Sequence, residues 1–518
     1  MSAVTPRVFT HRQIMVIFSG LMLGMLLAAL DHTIVATALP TITGELGGLN
    51  HLSWVVTSYL LASTVATPLY GKLGDLYGRK RLFQIAISVF LGGSILCGLS
   101  QSMLQLIAFR AIQGLGGGGL LVLAQAITAE IVAPRERGRY QGYFGAVFGA
   151  SSVLGPLVGG FLTDQLSWRW VFYVNLPLGL IALVVTAVVL PTSPRHGDPK
   201  VDYLGSAILT AAITAIVLFT TWGGRQYGWG SPTMLALGGG ALTLLALLVV
   251  VERRAPEPIV PIHLFRTRAF NVATSVSFII GVAMFGAISF LPLFLQVVNG
   301  ASATNSGLLL LPLMVGLLGA SISSGQVISR TGHYKFFPVT GCAVAAFGLY
   351  LLSTMGTATS QTTVTAYMVI LGVGLGLTMQ TLVLAVQNSV SVKELGVATS
   401  SVSFFRSMGG AVGVALFGAL FNSLLQQRLG AAVAVGERAG FTPESIQQLP
   451  PQARAAFVAG FADALTTVFL YAAPLVVVGF AITWLLREVP LRDTAHAIDH
   501  ARELSAASAP GTAEPDAG

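Results

Sequence analysis

The feature that most constrains this chain is the recurrence, from about Ile14 to about Leu486, of apolar stretches of roughly 20 residues, each long enough to cross a bilayer as a helix. Lipid offers no hydrogen-bond partners, so a spanning segment must satisfy its own backbone, and an α-helix does so within one stretch. The sequence therefore predicts an all-α polytopic membrane protein. Only 9% of its residues are charged, against roughly 25% in a soluble domain, and no sizeable soluble catalytic domain fits between the spans. The first apolar run follows a short polar leader, lacks a small-residue cleavage site and continues into further spans; it reads as a retained helix rather than a signal peptide. The two cysteines, Cys97 and Cys342, sit far apart in apolar runs without CxxC spacing or neighbouring histidines, and give no disulfide or metal pattern. A formal net charge of +8 would suggest nucleic acid in a soluble protein. Here the basic residues have a topological use, and no nucleic-acid partner is expected.

Apolar length broken by polar, Gly or Pro residues places six spans near 14–36, 53–71, 82–100, 104–128, 139–162 and 169–190. Two follow near 203–222 and 234–251, then six near 269–295, 305–328, 336–355, 362–389, 399–425 and 463–486. Fourteen spans in this order imply a leader over 1–13, a first six-helix bundle over 14–190, an inserted pair over 203–251, a second bundle over 269–486 and a tail over 487–518. The tail is rich in Ala, Ser, Pro and charge, a composition expected to be disordered. Within the second bundle, the outer loop 426–462 is long for a helix connection; TPESIQQLPPQARAAFVAGF in it reads as a short amphipathic helix or a solvated loop.

Alternate loops differ sharply in Lys and Arg. One set holds sixteen, from Lys72, Arg79, Lys80 and Arg81 through to Lys393, and the other holds only Arg169, Arg225, Arg428, Arg438 and Arg454. The basic set marks the cytoplasmic side, so both termini are expected there. The halves also carry a repeat: GKLGDLYGRKRLF from Gly71 aligns without gaps on GQVISRTGHYKFF from Gly325, matching Gly71 to Gly325, Gly78 to Gly332, Arg81 to Lys335 and Phe83 to Phe337. Both copies follow the second helix of their half. Parallel repeats place a substrate site near the midplane between them, reached alternately by rocking.

The loop from Gly71 to Arg81 puts one acid, Asp75, among four bases and three glycines. The basic residues fix the loop inside, or the loop is a latch in which Asp75 accepts hydrogen bonds from basic side chains or a helix N-terminus of the other half. Its pattern, G-x-L-x-D-x-x-G-R-K-R, resembles the loop signature of the major facilitator superfamily. LDHTIVATALP, RAIQGLGGG and WRWVFYVNLPLG resemble the first-, fourth- and sixth-helix motifs of its fourteen-helix drug:proton antiporters. The resemblance covers nearly the whole chain and implies a bacterial cytoplasmic-membrane exporter that moves small molecules against protons. In the fifth helix, Gly142, Gly155, Pro156, Gly159 and Gly160 resemble the antiporter motif of exporters, with Ser151 where a glycine belongs. Glycines of this density also suit tight helix packing alone.

Ionisable residues inside a span are costly and mark candidate functional sites. Asp31 lies nine residues before Pro40 on an outward helix, roughly 13 Å short of it, and Arg110 lies seven residues after Met103 on an inward helix, roughly 10 Å below the outer end. Their depths agree, and they pair if the first and fourth helices are neighbours, as in the superfamily this chain resembles. Gln113 shares the face of Arg110 at helical spacing. The expectation is a proton-coupling pair in which the charge of Asp31 biases rocking; a static ion pair is the other reading. Glu130, Arg135, Arg137 and Arg139 read as a solvated or latch-supporting cluster, and Arg406 as a group near the inner end of the thirteenth helix. No acid lies well inside helices nine to thirteen.

The second half supplies aromatics and neutral polar groups instead. Phe285, Phe294, Gln380 and Phe405, with Tyr59, Gln113, Tyr143 and Phe148 from the first half, are the candidate cavity residues. Such a surface suits bulky amphipathic or cationic compounds. Two functional readings remain: a proton-driven exporter of drug-like compounds, or an exporter of one solute such as a siderophore, antibiotic metabolite, amino acid or lipid. No G-x4-G-K-[ST] motif supports ATP as the drive, so a proton gradient is expected in place of any cofactor, and a monomer is expected in the bilayer.

Overall fold

A computed structural model describes residues 10–46, 52–190, 202–223, 226–300, 308–429 and 450–491. The outer segment 430–449, most of the leader and the tail from 492 lie outside the described residues. The first bundle contains α1 (His11–Leu46), α2 (Leu52–Tyr77), α3 (Arg79–Gly98), α4 (Met103–Ile131), α5 (Pro134–Gln165) and α6 (Asn175–Val189), the last preceded by a single turn, Trp170–Tyr173. The inserted pair is α7 (Tyr203–Trp222) and α8 (Pro232–Glu252). The second bundle contains α9 (Arg268–Val297), α10 (Leu311–Thr331), α11 (Phe336–Ser353), α12 (Gln361–Ser389), α13 (Leu395–Leu429) and α14 (Pro451–Thr483).

Thirteen of these segments are long and apolar enough to cross a membrane by length and composition. The helix outside the thirteen is α2, whose described residues include Thr57, Ser58, Ser63, Thr64 and Thr67. A helix lodged between neighbours can carry that many polar groups, and α2 packs against α4, α7 and α13. A second difference concerns the last span. Its helix begins at Pro451, so PQARAAFVAGF, read as part of a short amphipathic helix or a solvated loop, is helical but continuous with the span, the first three turns of α14.

The packing repeats with an offset of eight helices. α1 packs on α5 as α9 packs on α13, α2 on α4 as α10 on α12, and α3 on α4 as α11 on α12. The contacts between bundles obey the same rule, α2 against α13 and α10 against α5. The aligned loops sit at these two crossings. A Cβ on Gly396 would lie 2.5 Å from the Gly71 carbonyl oxygen, and one on Gly138 would lie 2.7 Å from the Gly325 carbonyl oxygen. Each aligned glycine therefore meets a glycine of the other bundle, which is what lets the backbones touch. Gly78 and Gly332, matched in the same alignment, both take positive φ, 94° and 76°, where the chain turns out of α2 and α10.

Candidate functional site

Around Asp31 five polar side chains from four helices meet, and all are buried: Asp31 on α1, Ser94 on α3, Arg110 and Gln113 on α4, and Asn175 at the start of α6. Arg110 Nη1 donates to Asp31 Oδ2 at 2.5 Å and to Gln113 Oε1 at 2.8 Å. Gln113 Nε2 donates to Asp31 Oδ1 at 2.8 Å and to Ser94 Oγ at 2.6 Å. Asn175 Nδ2 donates to the same two oxygens, each at 3.2 Å. Arg110 is held further by the Val55 carbonyl at 3.3 Å and by the Tyr59 ring, whose centroid is 4.3 Å from the guanidinium carbon. The Cys97 thiol lies 3.6 Å from Gln113 Oε1.

An isolated carboxylate this deep would be prohibitively costly; one charge-assisted bond and two amide donors offset that. The cluster also depends on close helix approach. A Cβ on Gly93 would sit 2.5 Å from the Gln113 Cα, so only glycine lets α3 bring Ser94 to this depth. A proton on Asp31 would remove the countercharge of Arg110 and one acceptor position.

The α5 motif packs on the turn after Asp31. Gly155 and Gly159 lie against Thr33, Ile34 and Thr37 of α1, and Thr33 Oγ1 donates to the Ser151 carbonyl at 2.9 Å. Ser151, the departure from the exporter motif, turns its own hydroxyl back to the Val147 carbonyl at 2.7 Å, so it adds no foreign contact. Lower on α5, Gly142 meets α10 at Ile322. One helix thus touches α1 beside the acid and the opposite bundle. Gly160 faces open space, and α5 runs unbroken through Pro156.

At the basic end, Asp75 accepts from Gly396 N at 3.0 Å and Val397 N at 2.9 Å, the first turn of α13 in the other bundle. Arg79 binds Asp75 at 2.6 Å and Glu130 at 2.8 Å. The second crossing uses the opposite polarity: Arg135 donates to the carbonyls of Ser329, at 3.3 Å, and Arg330, at 3.2 Å, at the end of α10. Ser329 is the residue aligned with Asp75. Lys80 instead stays in its own bundle, on the Ala187 and Leu190 carbonyls that end α6, and Arg81 is exposed. Arg137 is not solvated as expected. It is buried and caps the α4 carbonyls of Ala129 and Val132.

The candidate cavity residues separate. Phe285 lines a cavity of about 180 Å³ between α2, α7, α9 and α13, together with Thr57, Leu60, Thr220, Ser407 and Val414. Tyr59 and Gln113 belong to the Asp31 cluster. Phe294 is fully buried in the second-bundle core, Tyr143 packs 6.0 Å from Phe18, Phe148 is half-buried against the first-bundle core, and Phe405 meets Phe404 and Phe265 edge to face. Gln380 is buried on α12. Sequence reasoning missed Asn175 and Ser94. Asn175 stood in the quoted VNLPLG, as an amide at the start of an apolar run, and that was its signal.

The family model described as the Major Facilitator Superfamily matches residues 21–414. An uncharacterized MFS-type transporter of Mycobacterium tuberculosis is 49% identical over 92% of this chain and 70% of its own length. The multidrug transporter protein MdtP of Bacillus subtilis is 40% identical over 79% and 75%. The solved structure of the proton:xylose symporter XylE aligns with a TM-score of 0.66 at 14% identity, over 95% of this chain and 99% of that one, a likeness of fold. With the repeated six-helix bundles and the glycine-on-glycine crossings, these matches place the chain in the major facilitator superfamily of membrane transporters.

Proposed function

We propose that this protein is a proton-driven exporter of drug-like amphipathic or cationic compounds, working by alternating access. The observation that carries the proposal is a carboxylate buried inside the first bundle whose one charged partner is an arginine on a neighbouring helix. Asp31 takes up a proton when its surroundings open outward, releases Arg110 from the ion pair, and returns the proton on the cytoplasmic side. The basic loops set the cytoplasmic face, so the crossings at Asp75 and Arg135 seal the path from the cytoplasm in the conformation described. Packing of α5 on both α1 and α10 gives the protonation state a mechanical route to the crossing. The name of the Bacillus subtilis relative supports multidrug cargo. A single-metabolite exporter is the second reading, favoured by a relative named for the acurin A biosynthesis cluster, 34% identical over 79% of this chain.

The test uses everted membrane vesicles from a pump-deficient host, an imposed acid-inside gradient and ethidium. Accumulation that collapses with a protonophore is expected. Accumulation indifferent to the protonophore contradicts proton drive, and transport of one metabolite with no response across a panel of cations favours the second reading.

A further inference from the structure

The second bundle holds a guanidinium that the Asp31 cluster does not use. Arg406 lies eleven residues into α13, about 16 Å from the basic end at 1.5 Å per residue, deeper than an inner-end position. Its Nη1 is shut from solvent and has no hydrogen-bond partner among the described residues. No acidic residue occurs on α9, α10, α11, α12 or α13, and Asp31 is engaged by Arg110. A half-buried cation this deep, its Nη1 shut from solvent and no acid on α9 to α13 to balance it, is a costly feature to build into a membrane protein.

A second orphan lies at the same level. Gln380 is 6% exposed, and its Oε1 also lacks a partner. The register follows from one contact: Gln387 Nε2 on α12 donates to Thr399 Oγ1 on α13 at 3.0 Å. These helices are antiparallel neighbours joined by a short turn at Val392–Glu394. Two turns from that contact, on the same faces, stand Gln380 on α12 and Arg406 on α13. An unfilled charged donor and an unfilled acceptor therefore stand at one level on two consecutive helices.

We propose that Arg406 and Gln380 form a binding subsite for the anionic group of an amphipathic substrate, a carboxylate or acidic enol flanked by an N–H or O–H donor. The anion takes the Arg406 Nη1, and the neighbouring donor takes the Gln380 Oε1. The inference rests on the export reading and narrows it: the cargo includes acids and zwitterions, with recognition in the second bundle and proton handling in the first.

The test measures binding to the purified full-length protein in nanodiscs without any gradient, so a failure of proton drive would leave its readout intact. The probes are ciprofloxacin, its methyl ester and ethidium. The wild type is expected to favour the acid over the ester by about tenfold, the scale of a buried charge-assisted hydrogen bond. Arg406→Gln abolishes that preference with ethidium binding unchanged, and Arg406→Lys keeps part of it. The proposal is overturned if Arg406→Gln binds the acid like the wild type, or loses the acid and ethidium alike in a monodisperse sample. It is also overturned if chloride in place of gluconate removes acid binding, which assigns the site to a small inorganic anion.

Discussion

The two bundles repeat the same packing with opposite electrostatics. In the first, α1 and α4 carry an acid and a base that neutralise each other at 2.5 Å, with Gln113, Ser94 and Asn175 around them. In the second, the matching helices α9 and α12 carry no acid, and Arg406 stands half-buried on α13 with its Nη1 unbonded among the described residues. One half is complete in itself, and the other is complete only with a ligand. The crossings are divided in the same way: a carboxylate from α2 caps a helix N-terminus, and an arginine from α5 caps a helix C-terminus. A duplicated fold can thus separate coupling from recognition without changing its helix contacts.

Removing Arg110 and Arg406 should break the comparison most sharply. Arg110→Leu strands the Asp31 carboxylate and is expected to cost about 3–5 kcal/mol of stability, read as a large fall in the melting temperature of the purified protein. Arg406→Leu removes a charge that has no partner, and is expected to be neutral or stabilising. Equal destabilisation by both would refute the claim that only the first bundle is electrostatically complete. The crossings give a smaller effect. Asp75→Asn weakens the charge-assisted bonds to the α13 amides, about 1.5–3 kcal/mol, and should raise the labelling rate of a cysteine at Ser400 about tenfold or more. Arg135→Ala, at an exposed arginine that donates to two carbonyls of the other bundle, should raise labelling at Ser321 by a few-fold, about 1 kcal/mol or less. Asn175→Ala removes one neutral donor from Asp31 and should lower stability by about 1 kcal/mol with transport retained. Loss of transport in that variant would extend the coupling machinery to α6.

Much of this was legible because charge is so rare in the chain. Asp31 and Arg110 could be paired by depth once the resemblance made the first and fourth helices neighbours, and Asp75, the one acid in a basic loop, could be read as accepting from basic side chains or a helix N-terminus. The glycine alignment of Gly71 with Gly325 pointed to equivalent positions, and the structure gives each a glycine to meet. Neutral residues were harder. Tyr59 looks like a cavity aromatic in sequence, but its ring serves as a platform for Arg110. Ser94 and Asn175 reach Asp31 from helices distant in sequence, and nothing local announces that. Hydropathy also misjudged helix ends: the amino-terminal turns of α14 carry Gln452 and Arg454, so their helix is hidden from a reading that stops at polar residues.

The central claim is that Asp31 carries the coupling proton. Asp31→Asn keeps a side chain of the same size, whose one remaining oxygen can accept from Arg110 or from Gln113, but it has no titratable group. In proteoliposomes, the variant is expected to exchange substrate for substrate at near the wild-type rate while gradient-driven accumulation falls by about a hundredfold or more, the loss of a strictly required proton step. Gradient-driven accumulation equal to that of the wild type would contradict the account.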